Sequence, residues 1–249
     1  MQADAALTPA TDPAEVAKFD RMAADWWNPR GSMAPLHKLN PTRLAYVRDQ
    51  AVAHFGLDAD APKPLAGKSL LDIGCGAGLL SEPMARLGAS VVGVDPAPAN
   101  IKVARRHAAD AGLSVDYRNV ELDEVLTAGE RFDLVLASEV VEHVPDVKRF
   151  VADCCRAVAP GGLLIMSTIN RTMKAFALAI VGAEYVLRWL PRGTHDWEKF
   201  VTPRELADAI KAGGLNAGEP TGMVYDPFGD KWRLARDSSV NYLISAKRA

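Results

Sequence analysis

The feature that most constrains the fold is a glycine-rich segment that lies between two apolar runs, the second of which ends in an acid. Residues 70–78 read Leu-Leu-Asp-Ile-Gly-Cys-Gly-Ala-Gly, and the next apolar run ends at Asp95. A strand, a glycine turn, a helix and a second strand that ends in an acid form the layout of a nucleotide-binding βαβ unit. The sequence therefore predicts that Asp95 accepts hydrogen bonds from both ribose hydroxyls of an adenosine-containing ligand.

The spacing of the glycines helps to identify that ligand. Gly74, Gly76 and Gly78 carry no Cβ, so the backbone can pass close to a ligand at the carboxyl end of the first strand. A dinucleotide site places its third glycine one residue later and binds a pyrophosphate with backbone N–H groups. Asp72 would repel a pyrophosphate, whereas it suits the ammonium group of a methionine moiety. These features favour S-adenosylmethionine over NAD, and the segment resembles motif I of the class I methyltransferases.

Short β-rich runs alternate with helical stretches along the chain, which predicts a parallel sheet with crossover helices. The first five predicted strands are Ser69–Ile73, Ser90–Asp95, Val115–Val120, Phe132–Ala137 and Leu163–Thr168. A hairpin of Ala217–Tyr225 and Val240–Ala246 would complete a mostly parallel, seven-stranded sheet whose last strand is antiparallel. The predicted fold class is therefore Rossmann-like α/β, with flanking helices.

Two helices have recognisable start signals. Asn40 followed by proline is typical of an N-cap and predicts a helix from Pro41 to Phe55. Thr202 opens a capping box, which predicts a second helix that begins at Pro203 and ends before Gly213.

Length and composition indicate one soluble domain. The chain has 249 residues, 49% of them hydrophobic, and a net charge of −2. We expect a disordered tail over residues 1–12 and one domain over 13–249, in which 13–60 form N-terminal helices. The slightly negative charge provides no basic field for nucleic acid, which is therefore not an expected partner. Three cysteines suit neither a disulfide framework nor a zinc site, which favours a cytoplasmic protein.

A second group of reactive side chains follows the fourth predicted strand, where residues 138–143 read Ser-Glu-Val-Val-Glu-His. If a helix begins at Glu139, then Glu139, Glu142 and His143 share one helix face. Two carboxylates and an imidazole suit a divalent metal ion whose remaining ligands are water or substrate oxygens. His143 alternatively acts as a general base. In a third interpretation, the three residues only shape the floor of the pocket.

Longer segments outside the shared fold resemble one family. Residues 35–44, which read Pro-Leu-His-Lys-Leu-Asn-Pro-Thr-Arg-Leu, and the pair Trp26-Trp27 resemble the N-terminal part of the bacterial ubiquinone-biosynthesis O-methyltransferases. Further matching segments are residues 167–171, 181–185, 193–196 and 240–242. The resemblance implies methylation of phenolic hydroxyls on polyprenylated quinone precursors, namely 2-polyprenyl-6-hydroxyphenol and 3-demethylubiquinol, with S-adenosylmethionine as donor. We expect the two tryptophans to pack over the cofactor cleft.

The resemblance also assigns roles to individual residues. It places Arg43, Gly74, Asp95 and Ser138 at the cofactor, with Arg43 paired to the methionine carboxylate. It matches Glu139, Glu142 and His143 to an acid-acid-histidine string for which Mg²⁺ dependence is described in relatives. In this scheme His143 removes the phenol proton, and Mg²⁺ bound by Glu139 and Glu142 holds both oxygens of a catechol.

An insert over about residues 171–200 is not required by the fold. Its segment Lys174–Leu190 is apolar nearly all round, yet it is short and contains charged residues, so it does not suit a membrane span. Six basic and three acidic residues lie between Arg171 and Arg204. A basic, apolar helix predicts binding at an anionic membrane surface, and a helix packed on the core of the protein is the alternative. We therefore expect a cytoplasmic protein peripherally bound to the inner membrane, with other ubiquinone-biosynthesis enzymes as further partners.

Three other functions remain open at this point. A NAD-dependent oxidoreductase would share Asp95 and the glycine turn. A non-catalytic scaffold would keep the fold while losing cofactor or acceptor groups, but Arg43, Asp95, Glu142 and His143 are all present. A methyltransferase of another small phenol is the nearest competitor.

Overall fold

A computed structural model describes residues 11–31, 33–178 and 196–248. Its strands are β1 (Ser69–Ile73), β2 (Ser90–Val94), β3 (Asp116–Arg118), β4 (Phe132–Ser138), β5 (Val158–Ile169), β6 (Asn216–Ala217), β7 (Thr221–Asp226), β8 (Lys231–Ala235) and β9 (Asn241–Lys247). Its helices are α1 (Pro13–Met22), α2 (Ala34–Phe55), α3 (Ser81–Arg86), α4 (Pro98–Asp110), α5 (Leu122–Thr127), α6 (Val147–Ala157), α7 (Met173–Ala175) and α8 (Pro203–Ala212).

The strands form one sheet in the order β3-β2-β1-β4-β5-β9-β7-β8, and β6 pairs with β9. The five strands predicted first pair in parallel, and β9 runs antiparallel between β5 and β7. The mostly parallel sheet and the antiparallel last strand are thus confirmed. The predicted number of seven strands is wrong, since the described part of the chain contains nine.

The two extra strands had weak sequence signals. β6 has only two residues, and β8 is a largely exposed edge strand with the charged sequence Lys-Trp-Arg-Leu-Ala. β7 forms a hairpin with β8 and pairs on its other side with β9. The second pairing is the one predicted between Ala217–Tyr225 and Val240–Ala246. A charged edge is common in natural sheets because it discourages pairing with other chains.

Both faces of the central strands are buried, which explains their continuous apolar character. Leu134 and Leu136 belong to one core cluster, whereas Val135 and Ala137 belong to another. Alternate residues of a strand point to opposite faces of the sheet, so β4 contributes to the core on both sides. Helices therefore cover both faces and leave the strand ends available for a site.

The predicted start of α2 is wrong. The helix begins at Ala34 and contains Pro41 in its interior. Asn40 does not cap it, because its buried amide donates to the Leu79 carbonyl at 2.9 Å and its carbonyl accepts from Arg43. Tertiary hydrogen bonds thus override the local capping signal. For α8 the prediction is confirmed, since Thr202 forms the capping box.

The N-terminal segment is helical from Pro13 onward. Asp12 caps α1 by accepting from the Ala14 N–H, and Thr11 donates to Glu121. Residues 11 and 12 of the predicted tail make these contacts, and residues 1–10 lie outside the described part of the chain.

Only the start of the predicted insert can be described. α7 begins at Met173, and Met173, Phe176 and Leu178 expose large apolar side chains. Residues 179–195 lie outside the described ranges, so most of the predicted helix at 174–190 is not covered. Within the described ranges, no helix combines the length and the apolar character needed to cross a membrane.

Candidate active site

A cavity of about 230 Å³ opens at the carboxyl ends of β1, β2 and β4. The sequence-predicted residues that line it are Arg43, Asp72, Gly74, Asp95, Ser138, Glu139, Glu142 and His143. In open α/β sheets, ligands bind at this edge where the strand order reverses, which here is between β1 and β4. The structure thus brings together residues that are widely separated in the sequence.

Gly74 is the glycine of the turn that lines the cavity. Its φ is +66°, and a Cβ at this position would lie 2.6 Å from a methyl group of Val140. The turn is held against β2 because the N–H of Gly76 donates to Asp95 Oδ2 at 2.9 Å. The predicted close approach of backbone to ligand is therefore possible at Gly74.

Gly76 and Gly78, which the sequence also assigned to the cofactor, do not line the cavity. A Cβ at Gly76 would lie 2.6 Å from the Trp26 ring, and a Cβ at Gly78 would lie 2.0 Å from the Tyr117 hydroxyl. Both also have positive φ. These two glycines therefore allow the turn to pack against aromatic rings, a role that their spacing alone did not reveal.

We expect Gly78→Ala to lower the free energy of unfolding by about 2–4 kcal/mol, because it combines a left-handed conformation with a clash. Gly112→Ala is the matched control, since Gly112 has φ +65° but open space around it. Only the conformational cost of about 1–2 kcal/mol applies there. Urea unfolding measures both, and equal losses would contradict the packing role of Gly78.

Asp95 lies just beyond β2 and is buried. Its Oδ1 accepts from the Ala97 N–H at 2.9 Å and from the Asn100 amide at 3.2 Å. Burial raises the pKa of Asp95, and its hydrogen bonds to Ala97, Gly76 and Asn100 oppose that rise. Asn100 in turn accepts from the Trp26 indole N–H at 2.9 Å. Asp95 thus connects the glycine turn, the start of α4 and the N-terminal segment.

Of the two tryptophans that the sequence predicts over the cofactor cleft, Trp26 lines the cavity and Trp27 does not. Trp26 is buried and lines it, whereas Trp27 donates to the Ala77 carbonyl at 3.0 Å and stacks on His107 with ring centroids 3.5 Å apart. His37, for which the sequence suggested no role, contacts the Trp26 carbonyl through Nε2 at 2.8 Å. The segment that joins α1 to α2 is therefore anchored to the glycine turn.

Asp72 and Arg43 provide opposite charges in the cavity. Asp72 is buried, and burial raises its pKa to about 6, although the Ser81 hydroxyl donates to it at 2.5 Å. Arg43 is buried as well, and its Nη1 donates to Ser138 Oγ at 2.9 Å. The Nε of Arg43 has no hydrogen-bond partner in the described part of the chain. A carboxylate and a guanidinium that line the same cavity suit a zwitterionic amino-acid moiety.

The predicted helix from Glu139 is wrong. Glu139 has φ +56°, and a short 3₁₀ helix covers only Val141–His143. The N–H of Glu139 donates to the Ser167 carbonyl at 2.9 Å, and the Ser167 hydroxyl donates to Glu139 Oε1 at 2.8 Å. Pairing with β5 continues up to Glu139, so the chain turns there through a left-handed residue. The three reactive side chains therefore do not share a helix face.

Each of these side chains has a different protein partner. Glu142 is buried and accepts from the Thr168 hydroxyl at 2.7 Å, and burial followed by repulsion from Glu139 raises its pKa to about 7. His143 places Nδ1 3.0 Å from Glu15 Oε2. Glu139 lies 4.0 Å from the guanidinium of Arg43, which already supplies a positive charge there.

The predicted Mg²⁺ site does not fit this arrangement. Within the described ranges, no group of three His, Cys, Asp or Glu side chains is arranged to hold a metal ion. Glu139 and His143 are both close enough to Glu142 to influence its pKa. Each of the three side chains nevertheless has its own protein partner, which is Ser167 for Glu139, Thr168 for Glu142 and Glu15 for His143. We therefore derive no chemical step through a metal.

The residue that the sequence did not identify is Glu15 of α1. It lines the cavity beside Phe19, whose ring packs edge-on against His143 with centroids 5.2 Å apart. The related signal was the resemblance of the N-terminal segment, whose matching residues, 26–27 and 35–44, do not include Glu15. No local motif marks this single glutamate.

Comparisons with known proteins agree with this site. Residues 71–166 match the family model described as a methyltransferase domain. A ubiquinone biosynthesis O-methyltransferase from Methylobacterium sp. (strain 4-46) is 61% identical over 240 residues, which cover 96% of each chain. The relative of the same name from Parvibaculum lavamentivorans is 54% identical over 248 residues, which cover 100% of this chain and 98% of the relative.

Solved structures share the fold. The magnesium protoporphyrin IX methyltransferase from Synechocystis PCC 6803 with bound SAH has a TM-score of 0.67 at 18% identity, and the match covers 94% of this chain and 95% of that chain. This likeness shows a Rossmann-like fold. The matches to the methyltransferase domain model and to the O-methyltransferase relatives decide against an NAD-dependent oxidoreductase. With curated relatives that match over nearly the full length, the chain belongs to the ubiquinone biosynthesis O-methyltransferase family.

Proposed function

We propose that this chain transfers a methyl group from S-adenosylmethionine to phenolic hydroxyls of polyprenylated quinone precursors, with 2-polyprenyl-6-hydroxyphenol and 3-demethylubiquinol as the acceptors. The observation that carries the proposal is one cavity in which an acid–guanidinium pair, Asp72 and Arg43, lies together with His143. The names of the curated relatives support the pathway.

In this proposal, the chain binds the two ends of the cofactor separately. Asp95 accepts hydrogen bonds from the ribose, Arg43 binds the methionine carboxylate and Asp72 attracts the ammonium group. Gly74 and the main chain at Ser138 complete the contact. The burial of Asp95, Arg43 and Asp72 favours such binding, because charge-assisted hydrogen bonds are stronger where water is excluded.

The chemistry needs a base, because a phenol has a pKa of about 10 and is almost fully protonated at neutral pH. When bound, S-adenosylmethionine supplies an electrophilic methyl group on its sulfonium. His143 is placed to accept the phenol proton on Nε2, and the phenol oxygen would then take the methyl carbon. The bond from that carbon to sulfur would break, and its electron pair would remain on the S-adenosylhomocysteine that leaves. The mostly apolar wall, which includes Phe19, Met22 and Leu36, excludes water and holds the acceptor in line. Glu139 and Glu142 shape the floor and keep negative charge near the protonated imidazole.

The affinity for S-adenosylhomocysteine is expected to fall at acidic pH. The pKa of Asp72 is about 6 in the free protein, and a bound ammonium group stabilises the ionised form, so binding below this pH requires loss of a proton. Calorimetry should show Kd rising by up to about tenfold per pH unit between pH 6 and pH 5. Asp72→Asn should remove this dependence. A Kd in the wild type that is constant over this range would contradict the role of Asp72.

Asp95→Ala is expected to weaken S-adenosylmethionine binding by about 1–3 kcal/mol, because the ribose hydroxyls lose their acceptor. Asp116→Ala is the control, since Asp116 is an exposed acid at the neighbouring strand β3. Calorimetry below the melting temperature of each variant separates binding from folding. Unchanged affinity of the Asp95 variant would refute this placement of the ribose.

We propose further that the insert contacts an anionic membrane, where a polyprenylated substrate resides. Met173, Phe176 and Leu178 are exposed apolar side chains, which suit a lipid interface. The neighbouring Lys174 is exposed, and its ammonium group pairs with Asp237 at 2.7 Å. The rest of segment 174–190 lies outside the described residues. Co-sedimentation with vesicles should be stronger for anionic than for zwitterionic lipid and should fall in Met173→Ser/Leu178→Ser. Equal binding to both lipids would contradict the proposal.

The direct test of the proposed function is transfer of a deuterated methyl group from S-adenosylmethionine to a short-chain prenylated catechol. Mass spectrometry should find one labelled methyl group on a phenol oxygen, and a catechol without the prenyl chain should react more slowly. A folded protein that binds S-adenosylhomocysteine but labels neither acceptor would contradict the proposal. A faster reaction with the catechol that lacks the chain would favour another small phenol.

A further inference from the structure

Helix α1 lies across the cavity and supplies a large part of its wall. The residues of the N-terminal segment that line the cavity are Thr11, Asp12, Glu15, Val16, Lys18, Phe19 and Met22. The helix is anchored on one side by Asp20, whose Oδ1 accepts from the Ala99 N–H at 2.8 Å near the start of α4. Its other anchor is the contact between Glu15 and His143. The helix is thus tied both to the cofactor side and to the acceptor side of the cavity.

The second anchor fixes the orientation of His143. Glu15 Oε2 lies 3.0 Å from Nδ1, and the edge-on Phe19 ring restrains the imidazole from the side. His143 lines the cavity, and Nδ1 is the ring nitrogen that contacts Glu15. A carboxylate that accepts from Nδ1–H selects the tautomer in which Nε2 carries the free electron pair. The nitrogen that remains for a substrate is therefore Nε2.

The charged groups around Glu15 keep its carboxylate ionised, so that it can accept a hydrogen bond from His143. Its pKa is lowered to about 2, first by the hydrogen bond with His143 and also by Lys18 and Lys199. The ammonium groups of Lys18 and Lys199 lie 3.6 Å and 3.9 Å from its carboxylate oxygens. The carboxylate thus remains ionised, and acts as an acceptor, throughout the neutral pH range.

We propose that Glu15 is a positioning residue that aligns His143 as the base only when α1 covers the cavity. This inference rests on the proposed function, since it requires His143 to remove the phenol proton. The same helix that excludes water from the cofactor supplies the acceptor for Nδ1–H, so the base is oriented when the cavity is covered. Contact between α1 and the short helix at Val141–His143 couples the two events.

The test compares two variants of α1. Glu15→Ala removes the partner of His143, and we expect kcat to fall about 10- to 100-fold while KM for S-adenosylmethionine changes little. Asp20→Asn weakens the other anchor of α1 without touching His143, so we expect it to raise KM and to leave kcat within about threefold. Thermal melting shows that both variants remain folded. If Glu15→Ala only raises KM, as Asp20→Asn does, the helix is merely a cover and the inference is overturned.

A double variant shows whether Glu15 acts through His143. We expect Glu15→Ala/His143→Ala to have the same kcat as His143→Ala alone, because residues that act as a unit are not additive. A further loss on adding Glu15→Ala would overturn the inference. Two other outcomes would contradict the proposed function itself. They are an inactive wild type and a His143→Ala variant with wild-type kcat, which would show that His143 is not the base. An inactive His143→Ala beside a fully active Glu15→Ala overturns only the positioning role.

Discussion

Replacing His143 by alanine is expected to lower kcat for methyl transfer by about 10²- to 10⁴-fold, the usual contribution of a general base. The imidazole lines the cavity and its Nδ1 contacts Glu15, and in the proposed function Nε2 takes the phenol proton. Without it, the reaction depends on the small fraction of phenolate present at neutral pH. Steady-state kinetics with a prenylated catechol measure the effect, and calorimetry with S-adenosylhomocysteine should show retained cofactor affinity.

His54→Ala is the matched control, since His54 contacts the Gly161 carbonyl at 2.8 Å on the surface. Its kcat should equal that of the wild type. Raising the pH should partly rescue His143→Ala, because hydroxide then supplies phenolate without a base. Wild-type turnover by His143→Ala at neutral pH would contradict general-base catalysis by His143.

The second large effect is expected for Arg43→Met, which keeps the volume of the side chain and removes its charge. We expect a loss of about 3–5 kcal/mol in the free energy of unfolding, because the variant breaks a buried, charged hydrogen-bond network. Arg43 donates to Ser138 at 2.9 Å and to Asn40 at 2.5 Å, and it lies 4.0 Å from Glu139. Urea unfolding measures this loss.

The same variant should weaken S-adenosylhomocysteine binding by about 1.5–3 kcal/mol, the value of a hydrogen bond to a charged group. Arg48→Met is the control on the same helix, because Arg48 forms an exposed ion pair with Asp49. That variant should change stability by less than about 1 kcal/mol and leave affinity unchanged. Equal stabilities of the two variants would contradict a central role for the buried guanidinium.

Much of the sheet was predictable from local patterns. The apolar runs at β1, β2 and β4 and the capping box of α8 depend on neighbouring residues, and both predictions hold. The start of α2 was not predictable in the same way, because Asn40 bonds to the distant Leu79 carbonyl instead of capping the helix. Local signals thus fail where a tertiary hydrogen bond uses the same side chain.

Several residues that line the cavity could be predicted from the sequence, but their geometry could not. Gly74, Asp95 and most of residues 138–143 line the cavity, whereas Gly76 and Gly78 do not. The left-handed backbone at Glu139 depends on strand pairing with Ser167. The spacing of Glu139, Glu142 and His143 therefore wrongly predicted that they share a helix face. The contact of Glu15 with His143 spans 128 residues of sequence, and no spacing rule reaches that far.

The most direct test of the account is a crystal structure of the protein with bound S-adenosylhomocysteine. We expect the ribose hydroxyls at Asp95, the methionine carboxylate at Arg43, and the sulfur facing the part of the cavity that His143 and Phe19 line. S-adenosylhomocysteine bound elsewhere, or a strand edge filled by side chains with no ligand in it, would contradict the central claim that this cavity presents the methyl donor to a phenol oxygen.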